Sequence, residues 1–205
     1  MTIDLVALSA ISLAILFGAM SPGASFLLVA RTAMSSSRGA AISVAAGMGF
    51  GALIFAVIAL AGLNALLTLV PSLYTSLKIA GGFYLLWLAL KMFRRPSKDF
   101  TQSGVTEELS ASRGFVTGVL TQISNPQTAL VFASIFSAAL TNNIQPAMYI
   151  ILPLMAFAID VVWYALVACL LSTGGPRQAY IRYRKFIDKL SGGVMALLGL
   201  RLLLK

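Results

Sequence analysis

The chain of 205 residues has no histidine and a single cysteine, Cys169. No imidazole is available as a base, proton relay or metal ligand. One thiol cannot close an internal disulfide, and zinc or iron–sulfur ligation has almost no donors. No cofactor is expected. Acids are scarce too: six Asp and Glu stand against fifteen Lys and Arg. Charged residues make up 10% of the chain, against about a quarter in ordinary soluble domains. Hydrophobic residues make up 59%, and mean hydropathy is +0.93. A soluble domain of this size could not hide so much apolar surface in one core. These deficits exclude a soluble enzyme, a nucleic-acid partner and a disordered chain, and make lipid the solvent. The net charge of +9 then reports cytoplasmic loops.

What is present is long apolar runs. Six stand out, near 3–30, 40–70, 73–90, 114–140, 147–171 and 186–204. A membrane-spanning helix needs ~20 apolar residues, so six spans fit with short connections. The longer runs imply tilt, kinks or ends outside the hydrocarbon. They lack the ~10-residue alternation of an outer-membrane barrel. The expected fold class is an all-α membrane bundle. The first run starts with an acid and no basic residue, and is too long for a cleavable signal.

Basic residues orient the bundle. Arg31 and Arg38 follow the first run. Lys91, Arg94, Arg95, Lys98 and Arg113 follow the third, and Arg177, Arg182, Arg184, Lys185 and Lys189 follow the fifth. Lys78, Arg201 and Lys205 fall on the other side. The richer side is cytoplasmic by the positive-inside rule, which leaves both termini periplasmic. The polar segment 94–112 reads as a mobile cytoplasmic loop between halves 1–93 and 113–205.

Three spans per half is an odd number, so a repeated half would run in the opposite sense across the bilayer, the inverted-repeat plan of many transporters. Matched interruptions support it. The first run contains Ser21-Pro22-Gly23 and the fourth Asn125-Pro126; the third opens with Gly81-Gly82 and the sixth with Gly192-Gly193. A proline inside a helix removes one N–H and pushes away the carbonyl four residues earlier, here that of Gly18 or Gln122. In lipid a freed carbonyl must find a partner or face a cavity, and these two are expected to face one and help meet a substrate ammonium. Ser21 and Asn125 are good caps for a helix that restarts. The expectation is two half-helix N-termini aimed at the middle of the protein, polarised to receive a carboxylate.

Asp160 lies inside the fifth run, in MAFAIDVVWYAL, with no basic residue within a turn. A carboxylate at the bilayer centre costs ~2.5–3.5 kcal/mol on insertion scales. Protonated, it can donate a hydrogen bond; ionised, it needs a cation such as a substrate ammonium. That makes Asp160 the candidate for both ammonium binding and proton coupling. Trp163 and Tyr164 sit one turn on, at helical spacing from it. Gln122, Asn125 and Gln127 cluster at the second interruption as a hydrogen-bonding wall, with Ser25 just beyond the first. Gly47, Gly49 and Gly51 read as close helix packing, and the Gly47/Gly51 face permits a homodimer.

The run Met20-Ser21-Pro22-Gly23, the basic hairpin at Ser37-Arg38-Gly39 and the glycines 47–51 resemble the lysine exporter / homoserine-threonine resistance superfamily (LysE/RhtB). The likeness continues through LKIAGGFYLLWLALKMFR and RGFVTGVLTQISNPQTALVF to the glycine-opened sixth run, and is nearest to threonine/homoserine exporters. It implies a bacterial inner-membrane carrier that expels amino acids, driven by the proton gradient. The family pattern continues Ser-Pro-Gly-Pro; here Ala24 follows Gly23, so a milder first break is expected. The substrate-binding set is then Ser21, Pro22, Gly23, Ser25, Gln122, Asn125, Pro126, Gln127, Asp160, Trp163 and Tyr164. The expected partners are an amino acid, protons and lipid. The same broken helices could instead line a small-molecule or ion channel. Without histidine or paired intramembrane carboxylates there is no catalytic constellation.

Overall fold

A computed structural model describes residues 5–21, 23–69, 71–94, 109–139 and 145–204. Among them every regular element is helical. In order these are α1 (Leu5–Met20), α2 (Ala24–Ser35), α3 (Arg38–Leu69), α4 (Pro71–Arg94), α5 (Ala111–Ile123), α6 (Pro126–Ala139), α7 (Met148–Leu171) and α8 (Gly174–Leu204). Three are long and apolar enough to cross a membrane by themselves, over Arg38–Leu63, Thr75–Arg94 and Met148–Leu171. The pair α1 and α2, bent by 56° at its break, counts as a fourth where the two are taken as one broken span.

Both interruptions read from the sequence separate helices. Residues 21–23 part α1 from α2, and Ser124 with Asn125 parts α5 from α6. Pro126 is the first residue of α6, where a missing N–H costs nothing and a fixed φ suits a helix start. Pro22 lies outside the described residues, as does most of the polar connection, 95–108. Where the chain is described again, Ser110 caps α5 by accepting from Arg113 N at 3.5 Å. The preceding Leu109 N donates to Ser36 Oγ at 3.3 Å.

One boundary differs from expectation. The basic stretch after the fifth run, read as a connection, is the first half of α8, which begins at Gly174 rather than near 186. Hydropathy locates the apolar half of a helix and stops where charge begins, while the backbone continues into a polar extension.

The glycine-rich face of α3 is consumed within the chain, which corrects the expectation that Gly47/Gly51 offers a dimer surface. A Cβ on Gly47 would overlap Phe115 O, and one on Gly51 would lie 2.8 Å from Gln122 Cγ, both in α5. From the other side, a Cβ on Gly118 would overlap Val44 O. Small residues thus let two backbones approach, as membrane helices require where apolar burial alone gives little drive. Gly49 does the same against Phe157 O and Val161 of α7.

Two apolar clusters fill the bundle. One joins Ile11 and Ile15 of α1 to Leu85 and Leu88 of α4, Phe132 and Phe136 of α6, Leu152 of α7 and Met195 of α8. The other joins Phe26 and Val29 of α2 to Val44 and Met48 of α3 and Val167 of α7. The helix breaks lie at the seam between them.

Candidate functional site

At that seam is a cavity of about 30 Å³, room for a water or two and well short of an amino acid. The ends of α1 and α5, the starts of α2 and α6, and the middle of α7 surround it. Of the residues expected to bind substrate, Ser21, Gly23, Ser25, Gln122, Asn125, Gln127, Asp160 and Tyr164 line it. Its remaining walls are Ile15, Gly18, Ala19, Thr128, Val131 and Phe132.

The polar side chains form one directed chain. Asn125 Nδ2 donates to Ser25 Oγ at 3.0 Å. Ser25 Oγ donates to Gln122 Oε1, and Gln122 Nε2 donates to Asp160 Oδ2 at 2.7 Å. Each step fixes the next. A hydroxyl that accepts from Asn125 keeps its own hydrogen for the Gln122 carbonyl, which turns the Gln122 NH₂ towards the acid. The partners are distant in sequence, and all are buried: Asp160 and Gln122 are each 2% exposed, Ser25 3%. A satisfied buried network of this kind is rigid, and removing one member strands its neighbour. Among the described residues no lysine or arginine lines the cavity.

A second link ties the two breaks together. Gln127 Nε2 donates to Ser21 Oγ at 3.1 Å. A Cβ on Gly23 would lie 3.0 Å from Gln127 Oε1, so the absence of a side chain there lets the start of α2 meet the start of α6. Asn125 caps α6 as expected, its Oδ1 accepting from Gln127 N at 3.0 Å. Ser21 does not cap α2. Gly23, in extended backbone, is the residue before that helix and makes no side-chain cap. Ser21 faces the cavity instead.

Two other expectations change. The carbonyls of Gly18 and Gln122 are not left open by the breaks. Ser21 N donates to Gly18 O and Asn125 N to Gln122 O, each at 3.1 Å. A tight turn at each break recaptures the carbonyl that the lost helical N–H would have met. Trp163 is also elsewhere. It lines a separate apolar groove of about 650 Å³ with Leu16, Phe17, Val162, Leu166 and Leu190, and its buried Nε1 has no hydrogen-bond partner among the described residues. Only Tyr164, four residues after Asp160, reaches the cavity, with its hydroxyl 3.5 Å from Ala19 O. The apolar groove offers a zwitterion no charge or hydrogen-bonding wall.

Residues outside the expected binding set act by shape. Gly51 stands behind Gln122, where any side chain would push the glutamine out. Ile15, Val131 and Phe132 give the cavity an apolar side. A second acid, Asp188 in α8, is also buried but does not line the cavity. The described residues contain no group of three or more His, Cys, Asp or Glu that could hold a metal.

Comparison with known proteins agrees with this architecture. Residues 16–205 match the LysE type translocator family. The chain is 33% identical over 192 residues to a threonine efflux protein of Salmonella typhi, covering 90% of this chain and 91% of that one. It is 30% identical over 188 residues to a threonine efflux protein of Escherichia coli, with the same coverage. An uncharacterized membrane protein of Haemophilus influenzae is 28% identical over 192 residues, covering 90% of each. No solved structure matches significantly. A bundle of apolar helices, broken twice around a buried polar cavity and matched over nearly its whole length, is a multi-pass membrane protein that belongs to the LysE-type translocator family.

Proposed function

We propose that this protein exports a neutral, threonine- or homoserine-like amino acid across the bacterial inner membrane, driven by protons through alternating access. The observation that carries the reading is Asp160, a buried acid facing a wall of amides and hydroxyls between two helix starts. One acid and no basic side chain suit a zwitterion better than a dicarboxylate. The substrate ammonium meets Asp160. Its carboxylate meets the starts of α2 and α6, where backbone donors and helix dipoles favour negative charge. When the amino acid leaves, Asp160 takes the proton that returns. Relatives named as threonine efflux proteins support the direction and the class of cargo, and favour a carrier over a channel.

The scaffold of this reading is six spans in two inverted repeats, 1–93 and 113–205, joined by a cytoplasmic loop, with both termini periplasmic. In this arrangement α1 with α2 forms one broken span and α5 with α6 the other. Its support is the packing of like on like: α3 lies against α7, and α4 against α8. At the second of these crossings Gly82 and Gly199 each stand within about 3 Å of the other's carbonyl, measured from an added Cβ.

Efflux of labelled threonine from preloaded cells and vesicles tests the proposal. Asp160→Asn keeps the shape and removes both the charge and the proton site. Loss of a hydrogen bond to a charged group is worth ~1.5–3 kcal/mol, so efflux should fall about ten- to a hundredfold and lose its dependence on external pH. Unchanged, still pH-dependent efflux in the variant would remove Asp160 from the mechanism.

A further inference from the structure

We infer that Gln122 is an internal stand-in for the substrate's ammonium group, occupying Asp160 whenever the carrier is empty. The inference rests on the proposed export function and adds to it the step by which the unloaded protein returns.

Three observations carry it. The amide NH₂ of Gln122 sits 2.7 Å from Asp160 Oδ2, the distance an ammonium would take. Its orientation is imposed from behind by the chain from Asn125 through Ser25. The cavity beside the pair is only about 30 Å³, too small for an amino acid while the amide stays where it is. Substrate and amide therefore compete for one acceptor.

The competition has a use. A carrier that changes sides without cargo must carry its buried acid through a closed state, and an unpartnered buried carboxylate is costly. An amide donor serves the acid in either protonation state, since Oδ2 remains an acceptor in both. When an amino acid arrives, its ammonium replaces the amide NH₂. The displaced Gln122 remains next to Ser25 and Asn125, ready to return. Gln122 thus weakens substrate binding and speeds the return of the empty form.

The test uses the full chain in proteoliposomes with radiolabelled threonine. Net efflux into threonine-free buffer requires the empty carrier to return; exchange, with threonine on both sides, does not. Gln122→Met fills the same space without donating. The expected result is a KM for threonine lower by about tenfold, the factor carried by one hydrogen bond to a charged group. Maximal net efflux should fall about tenfold more than exchange does, and Ser25→Ala, which loosens the amide, should show a weaker version of the same split. If methionine prevents folding, Gln122→Asn withdraws the amide from Asp160 by one carbon and gives the same split. A raised KM in both modes, or equal loss of net efflux and exchange, overturns the inference and makes Gln122 an ordinary substrate ligand. If the wild-type protein moves no threonine in either mode, the export reading itself fails, which is visible without any variant.

Discussion

A methyl group added at Gly51 would stand 2.5 Å from Gln122 Cβ and 2.8 Å from its Cγ, too close for them to remain, and 3.3 Å from Val119 O, which would have to give by a few tenths of an ångström. Gln122 Cβ is held by the α5 backbone, and the amide beyond it is tied to Ser25 and to Asp160. Gly51→Ala should therefore act on the polar chain as well as on the α3–α5 packing. Its expected effect is an overpacking cost of ~1–3 kcal/mol, together with a change in threonine KM larger than a stability loss alone would cause. Gly62 is the control within the same helix: among the described residues nothing lies within 4 Å of its added Cβ. There alanine should be neutral or stabilise by ~0.5–1 kcal/mol, because it lowers the entropy lost in forming the helix. Melting of both variants in detergent, alongside efflux, separates the two effects. At this scale the sequence was legible where a residue breaks a local rule. Asp160 is an acid in an apolar run, and Asn125-Pro126 is a helix start inside one. It was not legible where two neighbours differ only in direction. Trp163 and Tyr164 lie ~100° apart around their helix, and only packing decides that the tyrosine meets the cavity.

At the scale of elements, α3 and α5 share a seam of small residues, with Gly47 and Gly51 on one side and Gly114 and Gly118 on the other. The seam brings α5 close enough for Gln122, near its C-terminal end, to meet Asp160 on α7. Gly118→Leu drives a side chain into Val44 O and Met48 N, backbone that cannot move aside. The expected result is loss of the folded protein or a fall in its melting temperature corresponding to several kcal/mol, with transport lost alongside. A variant that melts like wild type would show that the seam tolerates separation. The glycines could be read as packing residues from their spacing, but their partner could not. A one-in-four small residue fits another helix of the same chain as well as a second copy. The two breaks were read correctly as interruptions, whereas the carbonyls expected to face the cavity were recaptured by turns. A proline says that a helical bond is missing; it does not say what replaces it. The start of α8 was missed for a related reason, since a charged half-helix and a loop have the same hydropathy.

At the scale of the molecule, the charge asymmetry and the two-half reading make one joint demand. Ser110, at the entrance to α5, must lie on the side of the basic residues, and Thr75, near the opposite end of α4 from Lys91 and Arg94, must lie on the other. The positive-inside rule makes the first side cytoplasmic. The single native thiol helps, because Cys169→Ser leaves no background; Cys169 lies 3.0 Å from Arg38 Nη2, a surface contact whose loss is worth less than ~1 kcal/mol. In that background, a membrane-impermeant maleimide applied to intact cells should label Thr75→Cys and leave Ser110→Cys untouched until the cells are permeabilised. The reverse pattern would turn the protein over and make the proposed exporter face inward. Equal labelling of both positions on intact cells would mean that α4 does not cross the bilayer as one span. The three-span halves would then fail together with the inverted repeat, while the cavity at Asp160 would keep its chemistry and need a different route to each side.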